Sequence, residues 1–267
     1  MRSNKYLREI LWETRNLGIK SFAIDDDFIH SPDISALQNE IRRNVHMFDS
    51  IFIQARINKA DMSVAILLES LGFYFVEMAL VPYSVLKKNE ALNDFLMDKR
   101  KFLPSRYDLD SLTVRLVDKN DSNLRKIVKA IAEESFTDDR FHLDQNCKKE
   151  IADRRYLYWV EDMLNDKVTS ISLLELSGRA IAFMARKECS LLLAGFSKQY
   201  VKSGLGDFLW LSVLEQMLRG GLAQAETMIS ANNTAVLNLY ARIGFKFKAP
   251  AATFHYWSNP SGMNSPD

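Results

Sequence analysis

Residues 191–206 read LLLAGFSKQYVKSGLG and decide the fold, because an apolar run is followed closely by a Gly-x-Gly turn. The run Leu191–Phe196 predicts a buried strand, and Gly204 opens a helix that continues to about Arg219. Glycines let a ligand approach the backbone closely, and a helix N-terminus offers unpaired N–H groups that suit a pyrophosphate. A plain helix start is the alternative. The candidate turn residues are Lys202, Ser203, Gly204, Leu205 and Gly206.

A second motif lies downstream, where the pattern Asn-x5-Leu-Tyr-x3-Gly-Phe begins at Asn233 and ends at Phe245. A strand is predicted just before it, and a helix is predicted over residues 234–243. Each polar residue has a structural explanation, since Asn233 is a typical helix N-cap and Tyr240 can be a packing aromatic on an apolar helix face. The two together at this spacing, after the glycine turn, favour a functional site.

This order of strand, glycine turn, strand, asparagine and tyrosine-bearing helix resembles the GNAT acyltransferases. The resemblance implies an α/β (α+β) fold, in which helices flank a mixed, mostly antiparallel sheet that splays to hold acetyl-CoA. It implies that Tyr240 protonates the leaving thiolate and that Asn233 contacts the cofactor. The turn departs from the family at Val201, where Arg or Gln is usual, and Lys202 is the neighbouring cation. Backbone groups that bind the cofactor and stabilise the oxyanion are expected in Ala194, Gly195 and Phe196.

An internal repeat divides the chain, because LLESLGFYF at residues 67–75 parallels LYARIGFKF at residues 239–247. Two copies of a strand, helix, Gly-Phe, strand unit predict two related domains, unless Leu-Gly-Phe helix ends are simply common. The first copy has Leu68 where the second has Tyr240, so the first half is expected to be a degenerate GNAT-like scaffold. The predicted division is 1–98 for the N-terminal domain, 99–110 for a linker, 111–258 for the catalytic domain and 259–267 for a disordered tail.

Local patterns predict the secondary structure around these motifs. Residues 5–16 predict a helix, and the strand at residues 73–81 is predicted to end at Pro82. Residues 225–230 predict one continuous strand. Ser177-Gly178 predicts a hairpin turn between two strands.

The acceptor is suggested by DRFHLD at residues 139–144, which precedes a helix with three further aromatic residues. This segment is similar to the Ser-Arg-Phe-His-x-Asp segment of the TDP-fucosamine acetyltransferases, and LWETRNLG at residues 11–18 resembles their N-terminus. The resemblance implies that the acceptor is the amine of a nucleotide-linked amino sugar. Arg140 is a candidate fork for a substrate phosphate or carboxylate, and a surface arginine is the alternative. The predicted acceptor residues are Phe136, Arg140, Phe141 and Asp144.

The composition narrows the class of protein. Lys and Arg total 35 against 34 Asp and Glu, so nothing points to nucleic acid or an anionic membrane as a partner. The two cysteines form neither a metal pattern nor a disulfide framework. The charged N-terminus does not resemble a signal peptide, and a cytoplasmic protein without a bound metal is expected.

Together these patterns predict an acetyl-CoA-dependent N-acetyltransferase that acts on a small-molecule primary amine, and a homodimer is compatible with them. A catalytically inert acyl-CoA or nucleotide-sugar binding protein on the same fold is the first alternative. An acyltransferase with another acyl donor, or with a small free amine as acceptor, is the second.

Overall fold

The computed structural model describes residues 4–58, 61–135 and 139–258, in which thirteen strands and ten α-helices form. The predicted acceptor residue Phe136 and the predicted tail 259–267 lie outside the described residues. In the part of the chain that is described, no helix is both long and apolar enough to cross a membrane.

The strands are β1 (Leu7–Glu9), β2 (Lys20–Ile24), β3 (Ile51–Asn58), β4 (Tyr74–Leu80), β5 (Pro82–Val85), β6 (Leu112–Leu116), β7 (Ser170–Leu176), β8 (Arg179–Lys187), β9 (Ser190–Phe196), β10 (Gln224–Glu226), β11 (Ile229–Ser230), β12 (Lys246–Phe247) and β13 (Ala251–Trp257). The α-helices are α1 (Leu11–Leu17), α2 (Asp26–His30), α3 (Ile34–Phe48), α4 (Met62–Ser70), α5 (Glu90–Met97), α6 (Ser122–Ser135), α7 (Arg140–Leu143), α8 (Lys149–Asn165), α9 (Gly206–Arg219) and α10 (Thr234–Arg242).

Two mixed sheets form the framework. The first has the strand order β1-β2-β3-β13-β4-β11, and the second has the order β12-β5-β10-β9-β8-β7-β6. Only the β2–β3 and β9–β10 pairs among the described strands are parallel. The predicted class, a mixed and mostly antiparallel sheet flanked by helices, is therefore confirmed and occurs twice.

The two halves of the chain exchange strands. The C-terminal strand β13 lies between β3 and β4 in the first sheet, and β5 from the first half lies between β12 and β10 in the second sheet. The predicted division at residues 99–110 stays a prediction, because each sheet contains a strand from the other side of that linker.

The internal repeat has a matching geometry in both copies. Helices α4 and α10 each end before a glycine with positive φ, Gly72 at 90° and Gly244 at 79°. A left-handed residue ends a helix readily when it lacks a Cβ, which explains why both copies carry Gly at this position. Each copy then continues into strands that enter both sheets.

Several local predictions were confirmed and others were wrong at their edges. The hairpin at Ser177-Gly178 is confirmed, with φ of 49° and 80°. The predicted helix at residues 5–16 was wrong in its first half, where β1 forms. The carboxylate of Glu40 on α3 accepts backbone N–H groups of Lys5, Tyr6 and Leu7, and this distant contact favours the extended conformation.

Two strand predictions missed the division between the sheets. Pro82 does end β4, but it also begins β5, which pairs in the second sheet. The single strand predicted over residues 225–230 divides into β10 and β11, which belong to different sheets. The chain therefore crosses from one sheet to the other at Thr227 and Met228.

Candidate functional site

A cavity of 370 Å³ lies where β9 and β10 separate. The two strands pair only at Glu226 and Ser190, after which the chain leaves for the other sheet. Residues 191–194 line one wall of the cavity and residues 227–230 line the other. The predicted splay between these strands is therefore present, and it opens a cleft in the second sheet.

The cleft-facing edge of β9 is where its backbone can meet a ligand. Strand β8 pairs with the opposite edge through residue 196, whereas β10 has already ended. Of the predicted residues here, Ala194 lines the cavity, but Gly195 and Phe196 contact α6. A Cβ on Gly195 would lie 2.6 Å from the Ser135 hydroxyl oxygen, and that hydroxyl donates to the Phe196 carbonyl at 2.9 Å.

Tyr240 lies on α10 and lines the cavity, although it is only 3% exposed. Burial raises the pKa of the Tyr240 phenol above its ordinary value, while Trp210 and Thr227 act in the opposite direction. The net rise keeps the phenol protonated near neutral pH, as a proton donor requires. Trp210 packs edge-on against the tyrosine, with ring centroids 6.1 Å apart.

Asn233 is the N-cap of α10, because its side-chain oxygen accepts from the Val236 backbone N–H at 3.1 Å. The N-cap explanation is therefore correct. Asn233 also lines the cavity, so capping and ligand contact are compatible at this position.

The glycine turn is packed more closely than the sequence suggests. Gly204 has a φ of 80°, and a Cβ there would lie 2.9 Å from Pro104 Cγ. A Cβ on Gly206 would lie 2.7 Å from Leu239 Cδ1, and Leu205 is completely buried. None of the predicted turn residues from 202 to 206 lines the cavity. Their glycines are thus required by packing within the chain.

The turn still leaves backbone donors available. No side chain caps the N-terminus of α9, since its N-cap residue is Leu205. The Ser203 carbonyl accepts from the Arg106 guanidinium, which brings a cation to the turn from the predicted linker. Arg106, rather than Lys202, is therefore the cation that contacts the turn in the described structure.

We expect Gly204→Ala to destabilise the protein by about 2 kcal/mol. A left-handed alanine costs about 1 kcal/mol, and overpacking against Pro104 adds about 1 kcal/mol more. The matched control is Gly178→Ala, whose φ is also 80° but whose Cβ would meet nothing within 4 Å. Urea unfolding of both variants measures the difference. Equal losses of stability would show that Pro104 moves away without cost.

Arg140 lines the cavity and begins α7. It shares the buried carboxylate of Glu13 with Arg155: Arg140 donates at 3.1 Å, and Arg155 donates at 2.8 and 3.1 Å. Burial and the charge of Arg155 lower the pKa of Arg140 to about 10, so it stays charged at neutral pH. The surface-arginine alternative is wrong, because only 12% of the side chain is exposed.

Two of the predicted acceptor residues belong to the framework instead. Phe141 is completely buried against Phe52 and Trp257. Asp144 is buried and accepts from the Tyr74 hydroxyl and from Trp257 Nε1, at 2.6 and 2.9 Å, and it contacts His255 Nδ1 at 2.7 Å. Neither residue lines the cavity. The prediction of acceptor contacts by Phe141 and Asp144 is thus corrected.

The sequence matches no protein-family model and no curated protein. Solved structures with a similar fold include a GCN5-related N-acetyltransferase from Sphaerobacter thermophilus, with a TM-score of 0.62 and 14% identity over 94% of this chain and 76% of that one. Another is a tandem GNAT protein from the clavulanic acid biosynthesis pathway, with a TM-score of 0.58 and 10% identity over 92% of this chain and 76% of that one. A third is a GCN5-related N-acetyltransferase from Kribbella flavida, with a TM-score of 0.52 and 14% identity over 88% of this chain and 80% of that one. This chain has the GNAT fold.

Sequence reasoning missed several cavity residues of this GNAT fold. Arg56 on β3 and Glu77 on β4 line the cavity from the first sheet. Arg155 on α8 lines both this cavity and a second one, of 460 Å³, which Trp12 also lines. Trp159, one of the three aromatic residues that the sequence indicated on this helix, lines both cavities as well. A charged residue within an otherwise apolar strand was the available signal for the first two.

Proposed function

We propose that the protein is an acetyl-CoA-dependent N-acetyltransferase that acts on a primary amine. The observation that carries this proposal is the cleft between β9 and β10, which has the cleft-facing edge of β9 on one side and the Tyr240 phenol at its wall. A GNAT fold by itself supports acyl transfer only as an analogy, so the site residues carry the proposal.

Each residue has a role that its chemistry suits. Acetyl-CoA supplies the acetyl group as an activated thioester. Backbone groups on the cleft-facing edge of β9, where Ala194 lines the cavity, are the candidates to bind it and to stabilise negative charge on the acyl oxygen, and one such donor is typically worth about 10²–10³ in rate. The uncapped start of α9 and the Arg106 cation suit its phosphates. Tyr240 holds the proton that the departing thiolate needs.

For the acceptor, we favour a nucleotide-linked amino sugar. Arg140 places a mostly buried cation in the wall of the cavity, where it can bind a phosphate. The two cavities share Arg155, Trp159 and Leu192, so a long acceptor can extend from one to the other. Trp12 and Trp159 then offer aromatic surface for a base, with ring centroids 6.3 Å apart.

The second candidate is a non-catalytic binding protein on the same fold. It is favoured by the contact of Pro104 with the Gly204 turn and by the small exposure of Tyr240. An acyltransferase with another acyl donor would keep both the cleft and the tyrosine. Activity with acetyl-CoA and a defined amine separates these candidates.

We expect one acetyl-CoA to bind per chain, in the cleft of the second sheet. The sequence before residue 178 has no Gly-x-Gly turn, because its only glycines are Gly18 and Gly72. The first copy of the internal repeat also carries Leu68 where the second carries Tyr240. Titration calorimetry gives the stoichiometry, and release of free thiol in the presence of an amine panel gives the activity. Two sites per chain, or the absence of acetyl-CoA binding, would contradict the proposal. Binding without turnover on any amine would favour the non-catalytic protein.

A further inference from the structure

Three residues lie in register across the centre of the first sheet. Thr253 on β13 is paired with Arg56 on β3 and with Glu77 on β4. Residues directly opposite one another in a sheet project from the same face, and the outer two strands are about 10 Å apart because neighbouring strands are separated by about 4.8 Å. Arg56 and Glu77 both line the cavity at the separation of β9 and β10, so this face of the sheet is one of its walls.

The two charged residues act on each other across the sheet: burial lowers the pKa of Arg56, and the charge of Glu77 opposes that shift. In the described part of the chain, Arg56 and Glu77 form no hydrogen bond and no ion pair, although Glu77 is only 8% exposed. Arg56 Nε is buried without an acceptor, and the Thr253 hydroxyl between them is also buried without a partner. Arg56 is half-buried, and both side chains line the cavity, so their charged groups can meet a ligand there without first giving up a partner in the protein.

Arg140 extends the same charged wall. It has one hydrogen bond among the described residues, to Glu13, whereas a guanidinium has five N–H donors. Arg155 uses its donors on both oxygens of Glu13. Glu13 is therefore committed to two arginines, which leaves donors on Arg56 and Arg140 and acceptors on Glu77 for a ligand.

We propose that Arg56 and Glu77 recognise an acceptor that carries both its amine and an anionic group, either a carboxylate or a phosphate. Glu77 accepts hydrogen bonds from the amine, and Arg56 with Arg140 donates to the anion. The spacing of the two strands requires the amine and the anion to be separated within the acceptor, as they are across a sugar ring. This inference rests on the proposed function. It excludes an amine without an anionic group as the preferred acceptor.

The matched variants are Arg56→Gln and Glu77→Gln, with Arg8→Gln and Glu69→Gln as controls. The control residues are exposed on β1 and α4 and carry the same charges, so they match the charge change without touching the cavity. Because neither charge forms a hydrogen bond or an ion pair with a described residue, removing it should leave the melting temperature nearly unchanged. A large fall in the melting temperature for both cavity variants would indicate a structural role and would overturn the proposal.

Acceptor recognition is tested with paired probes: hexosamine phosphates and dTDP-linked amino sugars against the free amino sugars, and ω-amino acids, whose amine and carboxylate are separated, against their amides. Calorimetry measures the binding of each probe and of acetyl-CoA, and thiol release measures KM and kcat. We expect an anionic amine to be preferred, and each cavity variant to weaken it by about 10- to 100-fold with acetyl-CoA affinity unchanged.

The outcomes separate the two proposals. Failure of the wild-type protein to bind acetyl-CoA contradicts the proposed function. Binding of the acceptor probes still tests Arg56 and Glu77 in that case. This inference is overturned if the best ligand is an amine without an anionic group. So does the failure of every anionic amine to bind, or a response of the cavity variants equal to that of Arg8→Gln and Glu69→Gln.

Discussion

Replacing Tyr240 with phenylalanine is expected to lower turnover by about 10²–10⁴-fold, because a general acid contributes that much to the chemical step. The dissociation constant for acetyl-CoA should hardly change, since a proton donor to the thiolate acts mainly in the transition state. The substitution removes one oxygen from a side chain that packs against Trp210 and Phe245, so the packing is preserved. Single-turnover rates and calorimetry measure the two quantities.

The matched control is Tyr83→Phe, which removes a phenol oxygen from β5 outside the residues that line the cavity. It should retain wild-type turnover. If Tyr240→Phe also retains wild-type turnover in an assay limited by chemistry, then Tyr240 is a packing residue, and the leaving thiolate obtains its proton elsewhere.

Replacing Asp144 with alanine is expected to destabilise the protein by about 3–5 kcal/mol, because several buried donors lose one shared acceptor. Its carboxylate accepts from the Tyr74 hydroxyl at 2.6 Å and from Trp257 Nε1 at 2.9 Å, and it contacts His255 Nδ1 at 2.7 Å. Burial alone would raise the pKa of Asp144, but these contacts outweigh it and leave the pKa below its ordinary value. Urea unfolding measures the loss.

Asp153→Ala provides the comparison. Asp153 also contacts a histidine and a second residue, His142 and Lys149, but 43% of its side chain is exposed. We expect this variant to lose less than about 1 kcal/mol, as is usual for exposed ion pairs. A loss for Asp144→Ala no greater than that for Asp153→Ala would show that water replaces the carboxylate in the buried network.

The same network explains why one feature of the acceptor segment was misread. DRFHLD contains an arginine, aromatic groups and carboxylates, and all of these can bind a sugar nucleotide. In the fold, Arg140 lines the cavity, whereas Phe141 and Asp144 point into the contact between α7 and the first sheet. Neighbouring residues of one short helix thus have different surroundings, which the segment's composition does not reveal.

The sequence by itself determined most of the local elements and turns, although not β1 or the break between β10 and β11. The apolar run of β9, the cap at Asn233 and the glycines at 72, 178 and 244 act within a few residues, so their patterns are readable in one dimension. The mixed sheet and its splay were implied by the resemblance of this order of elements to a known fold.

Tertiary structure alone decided which strands pair and which charges meet. Strands β5 and β13 lie in sheets formed mainly by the other half of the chain, and backbone hydrogen bonds between distant segments leave no local pattern. Arg56 and Glu77 lie in register on one face of the sheet because β13 pairs with both of their strands. The site therefore depends on the strand exchange, since pairing partners are chosen by the packing of the whole chain.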